Sequence, residues 1–428
     1  MLKVARKFTS MDFSMNNEIN ETPKMPLTVW VLGAVSFFSN AAAVVITALT
    51  PEFIIHVLGS TAAVLGYIRG FSEALSYLVK LFSGVISDWM GKRKVLILWG
   101  YLCAAFAKPM FALSQGLGLY VSAQLLERVT NGLRDTPRDA LIADCTPREL
   151  KGAAYGIRQT GAFAGSMIGS IACFFVLANF KGSSSDSIRL VYLLASIPIF
   201  IAVLLIYYGI KEPKIVGLQK RRGFPIRKSD IKELGAHFWF YMFVCFVFMC
   251  ARYSDAFLAL RAKELDLDLK YIPLVLAVMH LFNAVTSRIV GSWSDRRERK
   301  IFLAFGFCMM LASCVILALA KEIWHVFVGV AIYGIHYGAT QGTFFAMVSD
   351  YAPPQIKGTS IGIFNLICCI GMCISNALTG NLWTISGAET AFSVNAAITF
   401  CATICVLFVK QNHNKDKDKL EQQKVIAK

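Results

Sequence analysis

Gly84-Val-Ile-Ser-Asp88-Trp-Met-Gly91-Lys-Arg-Lys94 returns about 206 residues later as Gly291-Ser-Trp-Ser-Asp295-Arg-Arg-Glu-Arg-Lys300. A second stretch behaves in the same way. Asp144-Cys-Thr-Pro147-Arg-Glu-Leu-Lys151-Gly152-Ala-Ala-Tyr-Gly156-Ile157 is matched by Asp350-Tyr-Ala-Pro353-Pro-Gln-Ile-Lys357-Gly358-Thr-Ser-Ile-Gly362-Ile363. Two matched pairs at one spacing mean that a structural unit is written twice. A tight basic turn alone would explain one copy; it does not explain two that keep the same acid. Asp88 is a carboxylate placed to accept from backbone amides at a helix start or from a nearby Arg. Gly84 leaves room for close helix approach.

Long apolar runs flank each of these turns. Of 428 residues 56% are hydrophobic and only 16% charged, with a mean hydropathy of +0.56, where a soluble domain carries about 25% charged residues. Runs of the length needed to cross a hydrocarbon core about 30 Å thick recur along the chain. They predict spans at residues 27–50, 62–87, 95–114, 119–140, 152–179, 189–210, 236–260, 272–294, 301–320, 324–348, 359–383 and 389–410. The expected fold is an all-α integral membrane protein, with twelve transmembrane helices in two pseudo-symmetric six-helix bundles. Residues 27–210 and 236–410 form the bundles, and 211–235, basic and containing Pro and Gly, form the central loop. Residues 1–26 form an N-terminal segment without the apolar core of a signal peptide. Residues 411–428 form a solvated tail.

An even number of spans puts both ends on one side. Loops on that side hold about 27 basic residues against about 5 opposite, which predicts cytosolic termini. The formal net charge of +16 is thus a topology signal. Its spread over short loops excludes a nucleic-acid face. The cysteines fall within spans, apart from Cys145 in a basic loop, and read as small packing residues. The histidines lack zinc spacing, so no metal and no cofactor are expected. No phosphate-binding Gly-rich motif is present, so an ion gradient, most plausibly of protons, is the expected energy source.

At this point the chain resembles the major facilitator superfamily. The family's turn, G-x-x-x-D-(R/K)-x-G-(R/K)-(R/K), is met by residues 84–93 except at Trp89, and by 291–300 except at Glu298. Leu125-Leu-Glu-Arg128-Val-Thr-Asn-Gly132 looks like the family's helix 4 motif, whose Arg is tied to proton coupling. Gly161-Ala-Phe-Ala-Gly165-Ser166-Met-Ile-Gly169-Ser170 looks like its helix 5 antiporter motif, with Ser166 where a Pro belongs. The resemblance implies alternating access of two bundles around a midplane site.

Where the halves differ, cargo chemistry is expected. Sliding by 206 pairs Arg128 with Gly334, Arg134 with Thr340, Asp135 with Gln341, Arg138 with Phe344, Asp139 with Phe345 and Arg158 with Phe364, while Glu73 meets His280. Charges at bilayer depth are costly and face a partner or a wet cavity. Glu73, Arg128, Arg158, Arg252, Asp255 and His280 are the candidates for substrate and coupling. Arg252 and Asp255, three apart on helix 7, are alternatively an internal ion pair. Glu73 is the best-placed proton acceptor, with Arg69 one turn earlier as a competing partner. Arg134, Asp135, Arg138 and Asp139, together with Asp144 and Asp350, Gly84, Asp88, Gly91, Gly291 and Asp295, are assigned to the cytosolic gate.

The expected function is secondary active transport of a small solute, proton-coupled and leaning to uptake. Several Arg in the first half favour an anionic or carboxylate-bearing metabolite or siderophore. A proton-driven efflux antiporter for drugs or metabolites is the alternative. An enzyme is not expected, since no nucleophile-and-base arrangement or zinc motif occurs. A monomer in the bacterial inner membrane completes the expectation, with lipid, solute and protons as its partners.

Overall fold

The computed structural model describes residues 25–90, 92–147, 150–180, 182–210, 234–294, 297–352 and 356–409. Gly91, Asp295, Pro353, the side chain of Asp88, and most of the N-terminal segment, central loop and tail lie outside the described residues.

Helices account for the rest. In chain order they are α1 (Leu27–Glu52), α2 (Ala62–Met90), α3 (Arg93–Leu113), α4 (Leu117–Cys145), α5 (Lys151–Asn179), α6 (Ser184–Leu194), α7 (Ser196–Gly209), α8 (Ala236–Met249), α9 (Ala256–Glu264), α10 (Ile272–Ser294), α11 (Arg299–Ala318), α12 (Ile323–Tyr351) and α13 (Lys357–Leu407). A π-turn, Phe53–Val57, extends α1. α13 turns back at Gly387, whose φ of 82° is left-handed backbone that favours glycine.

Every interval expected to span is helical, but two are interrupted. The sixth is divided at Ala195. The seventh, expected to run unbroken over 236–260, ends at Met249 and resumes at Ala256. Among the described residues seven helical stretches are both long and apolar enough to cross a membrane. α2 and α4 are not among them, although each has 29 residues. They carry Arg69, Glu73 and Lys80, and Glu127, Arg128, Arg134, Asp135, Arg138 and Asp139, charges that lower their apolarity.

Close backbone approach, rather than hydrophobicity, joins helices where lipid is as apolar as the side chains. α5 lies along α1 through Gly161, Gly165 and Gly169, spaced by one turn. A Cβ there would come within 3.5 Å of Gly33 Cα, 2.8 Å of Phe37 Cα and 2.7 Å of Ala41 Cα. The glycines of the antiporter-like stretch therefore serve helix contact. Gly84 packs similarly, with a Cβ position 3.0 Å from Thr136 Cγ2 of α4, whereas a Cβ at its repeat partner Gly291 has no neighbour within 4 Å among the described residues.

The repeated stretches are tied to each other in the same manner in both halves of the chain. Arg93, in the first basic turn, pairs with Asp144 at 2.8 Å, and Arg299, in the second, pairs with Asp350 at 2.6 Å. Each pair clamps the start of one helix to the end of another. We refer to this side of the molecule as the basic end.

The N- and C-terminal helices meet along α2–α13 and α5–α10. Away from the basic end, Ala63 N donates to Thr384 Oγ1 at 2.9 Å, and Asn381 Nδ2 donates to Tyr67 Oη at 2.7 Å. Lys263 stands 3.9 Å from Glu52, and Phe174 stacks on Tyr271 with centroids 5.5 Å apart. These contacts close that end. A Cβ at Gly66 would lie 3.1 Å from Gly380 Cα, against nothing within 4 Å at Gly156. Gly66→Leu is accordingly expected to destabilise the protein by about 1–3 kcal/mol through overpacking, read as a lower melting temperature in detergent. Gly156→Leu should leave it unchanged.

Candidate functional site

The break in the seventh segment places Cys250–Asp255 as irregular backbone inside the helix assembly. Such backbone is tolerated at membrane depth only when protein groups satisfy it or it lines a cavity. Both conditions are met. Ser254 N donates to Asn376 Oδ1 at 2.8 Å, Tyr333 Oη donates to Tyr253 O at 2.7 Å, and Ala256 N donates to Ser254 Oγ at 3.3 Å. Asn376 and Tyr333 thus replace the hydrogen bonds that an unbroken helix would have made.

The freed segment lines a cavity of about 350 Å³ between the N- and C-terminal helices. α2 contributes Arg69, Glu73, Ser76, Tyr77 and Lys80, and α4 contributes Gln124, Glu127, Arg128, Asn131 and Asp135. From the second half come Arg252 to Asp255, His280, Tyr333, Tyr337, Gln341 and Met372. α1 adds Asn40 and Thr47.

Most charges here are paired. Arg128 Nη1 lies 2.9 Å from Glu73 Oε1, and Arg69 Nη2 lies 3.8 Å from the same oxygen. Arg69 also reaches across to the other half: its Nη2 is 3.0 Å from Asp255 Oδ1, and its Nε donates to Ser254 Oγ at 2.9 Å. Lys108 Nζ, fully buried in α3, is 2.5 Å from Glu127 Oε1. Lys80 pairs with Asp135 at 3.0 Å toward the basic end.

Arg252 is the exception. Among the described residues it has no carboxylate within ion-pair distance and no hydrogen-bond partner, although only 4% of it is exposed. Its guanidinium lies over the Tyr337 ring, 4.2 Å from the centroid. The internal pair with Asp255, open as an alternative on sequence spacing, is not formed. Both residues lie in the break between Met249 and Ala256, so helical spacing no longer relates them, and Arg69 takes the carboxylate.

Glu73, Arg128, Arg252, Asp255 and His280 therefore converge on one cavity. Arg158 does not join them. It lies with the gate residues, its Nε 3.4 Å from Asp139 Oδ1. Arg138 bridges Asp135 at 3.2 Å and Asp139 at 3.5 Å and donates to Tyr101 Oη at 3.2 Å. Arg134 sits over the Tyr101 ring at 4.1 Å and donates to Asn131. Sequence reasoning passed over Lys108 and Glu127. Lys108 was findable as a lone cation in the apolar run of α3, since an intramembrane charge implies a partner. Tyr77 and Tyr337 gave no comparable signal.

No group of three or more His, Cys, Asp or Glu able to hold a metal occurs among the described residues. The cysteines there are free thiols.

A helical membrane assembly with a polar cavity between two sets of helices is the build of a solute transporter. The family model of the Major Facilitator Superfamily matches residues 29–376. An uncharacterized MFS-type transporter of Methanocaldococcus jannaschii is 27% identical over 95% of this chain and all of its own length. A multidrug resistance protein, MdtG of Proteus mirabilis, is 26% identical over 35% of this chain and 38% of its own. Among solved structures, a POT family transporter in complex with a thioalcohol-conjugated peptide superposes with a TM-score of 0.73, at 13% identity, over 89% of this chain and 95% of its own. The chain belongs to the Major Facilitator Superfamily: it is an integral, multi-pass membrane protein of a transporter family and not an enzyme.

Removing one member of a buried pair strands the other. Lys108→Met should cost about 3–5 kcal/mol by leaving Glu127 unpaired. Lys108→Met with Glu127→Met should regain most of it, as thermal melts of the purified protein would report.

Proposed function

We propose that the protein takes up a small organic anion together with protons, by alternating access of two six-helix bundles with cytosolic termini. The observation that carries the anion reading is Arg252, a buried cation facing the cavity without a carboxylate partner among the described residues. An unpaired buried charge is costly, so a solute carboxylate that completes the pair gains what the empty site lacks. Arg is suited to this because its fork binds carboxylate bidentately while its face rests on an aromatic ring.

Two further features support the reading. Toward the basic end, Arg134 and Arg158 stand with Lys80 and Arg138 against Asp135 and Asp139, leaving an excess of positive charge on the approach to the cavity. Such a field concentrates anions. Glu73 holds Arg128 at 2.9 Å. A proton placed on Glu73 would free that guanidinium for the solute, which links proton and anion occupancy. At about 350 Å³ the cavity is near the lower end of ligand sites, roughly 300–1,000 Å³, and suits a metabolite better than a siderophore. The efflux reading has in its favour the partial likeness to MdtG. The polar lining favours a hydrophilic solute over an amphiphilic drug.

A thermal-shift screen of small carboxylates, with neutral sugars and organic cations as controls, should return carboxylates. Arg252→Gln should weaken their binding by about 2 kcal/mol or more, roughly thirtyfold, and Arg252→Lys should recover only part. In proteoliposomes, an inward proton gradient should raise uptake of a carboxylate so identified. Stabilisation by cations alone, or anion binding unchanged in Arg252→Gln, would sink the proposal.

A further inference from the structure

We infer that the cavity, with Glu73 ionised, selects solutes bearing a single negative charge; this rests on the anion site proposed above. Around the core of the site stand four cations, Arg69, Arg128 and Arg252 at the lining and Lys108 behind Glu127, and three carboxylates, Glu73, Glu127 and Asp255. Three pairs exhaust the carboxylates: Lys108 with Glu127 at 2.5 Å, Arg128 with Glu73 at 2.9 Å, and Arg69 with Asp255 at 3.0 Å. One guanidinium is left over.

Rearrangement does not alter that excess. If Asp255 turned to Arg252, three residues away, Arg69 would be left in its place. If Arg69 moved fully onto Glu73, it would do so at the expense of Arg128. The excess is set by which residues line the space together with Lys108 behind them, so re-pairing among them leaves it unchanged while Glu73 stays ionised. Lys80 and Asp135 are a pair of their own toward the basic end.

A monoanion brings the closed site to neutrality. A dianion overshoots by one charge where Arg69, Lys108, Glu127 and Arg252 are each under a tenth exposed, and where an unpaired charge costs several kcal/mol. The groups around Arg252 have the same valence preference. Tyr77 and Tyr337 line the cavity with hydroxyls that have no hydrogen-bond partner among the described residues. Both donate hydrogen bonds without adding charge, which suits one carboxylate more than a second acidic group.

The test uses the full-length protein and two series of probes with one, two and three carboxylates: lactate, malate and citrate, and benzoate, phthalate and trimellitate. Binding is titrated above the ordinary histidine range, so that His280 adds no charge. In each series that binds, the monocarboxylate should lead by about tenfold or more. Glu73→Gln and Asp255→Asn each uncover a second guanidinium, and each should shift the preference to the dicarboxylate by about tenfold. Melting temperatures without ligand show whether these variants fold; if they do not, the wild-type order decides alone. A wild-type protein that prefers malate or citrate, with binding still lost in Arg252→Gln, overturns the single-charge inference and leaves the anion site standing. If no probe binds wild type better than Arg252→Gln, both are overturned.

Discussion

A charge held away from water must find a partner, and the interior of this protein is arranged around that constraint. The helices that carry most of the charges, α2 and α4, are among those whose apolarity falls short of a membrane span, and both line the cavity. Nearly every cation there is matched. The Arg69–Asp255 pair at 3.0 Å also crosses between the two halves of the chain, so neutralisation and assembly depend on the same contact. Where the match fails, at Arg252, the failure falls in the cavity and not in the packed wall.

The break in the seventh segment follows from the same constraint. A continuous helix would turn its backbone polar groups inward on themselves and give the cavity only side chains. Opening it at Cys250 to Asp255 brings Arg252 into the cavity on an irregular strap. Asn376 and Tyr333 satisfy the amide and carbonyl that this exposes. Small residues play the complementary part elsewhere. Gly161, Gly165 and Gly169 bring α5 onto α1, and Gly66 brings α2 onto α13, so that packing fixes the walls between which the charges meet.

The duplicated turns illustrate how a sequence repeat becomes a physical repeat. Arg93 with Asp144 and Arg299 with Asp350 are the same ion pair made twice, joining in each half the two stretches that recur. The copies are not equivalent throughout, since a Cβ at Gly84 would meet Thr136 while one at Gly291 would meet nothing within 4 Å among the described residues. The helix 4 region departs furthest. Its first copy holds Glu127, Arg128 and the charges toward the basic end, and its second has Phe344 packed among aromatic rings.

That the chain is helical, membrane-embedded, internally repeated and of the superfamily could be read from residue order alone, because apolar run length and recurring turns are local properties. Residue order also placed Glu73, Arg128, Arg252, Asp255 and His280 among the functional candidates, because an intramembrane charge stands out against its neighbours. Only the tertiary structure decided their partners. Arg69 and Asp255 are 186 residues apart, and Lys108 and Glu127 lie on different helices, so no helical spacing could join them. It also moved Arg158 to Asp139, broke the seventh helix over Cys250 to Asp255, and left Arg252 without a carboxylate among the described residues. Pairing in a low-dielectric interior depends on distance through space. Sequence reports only distance along the chain.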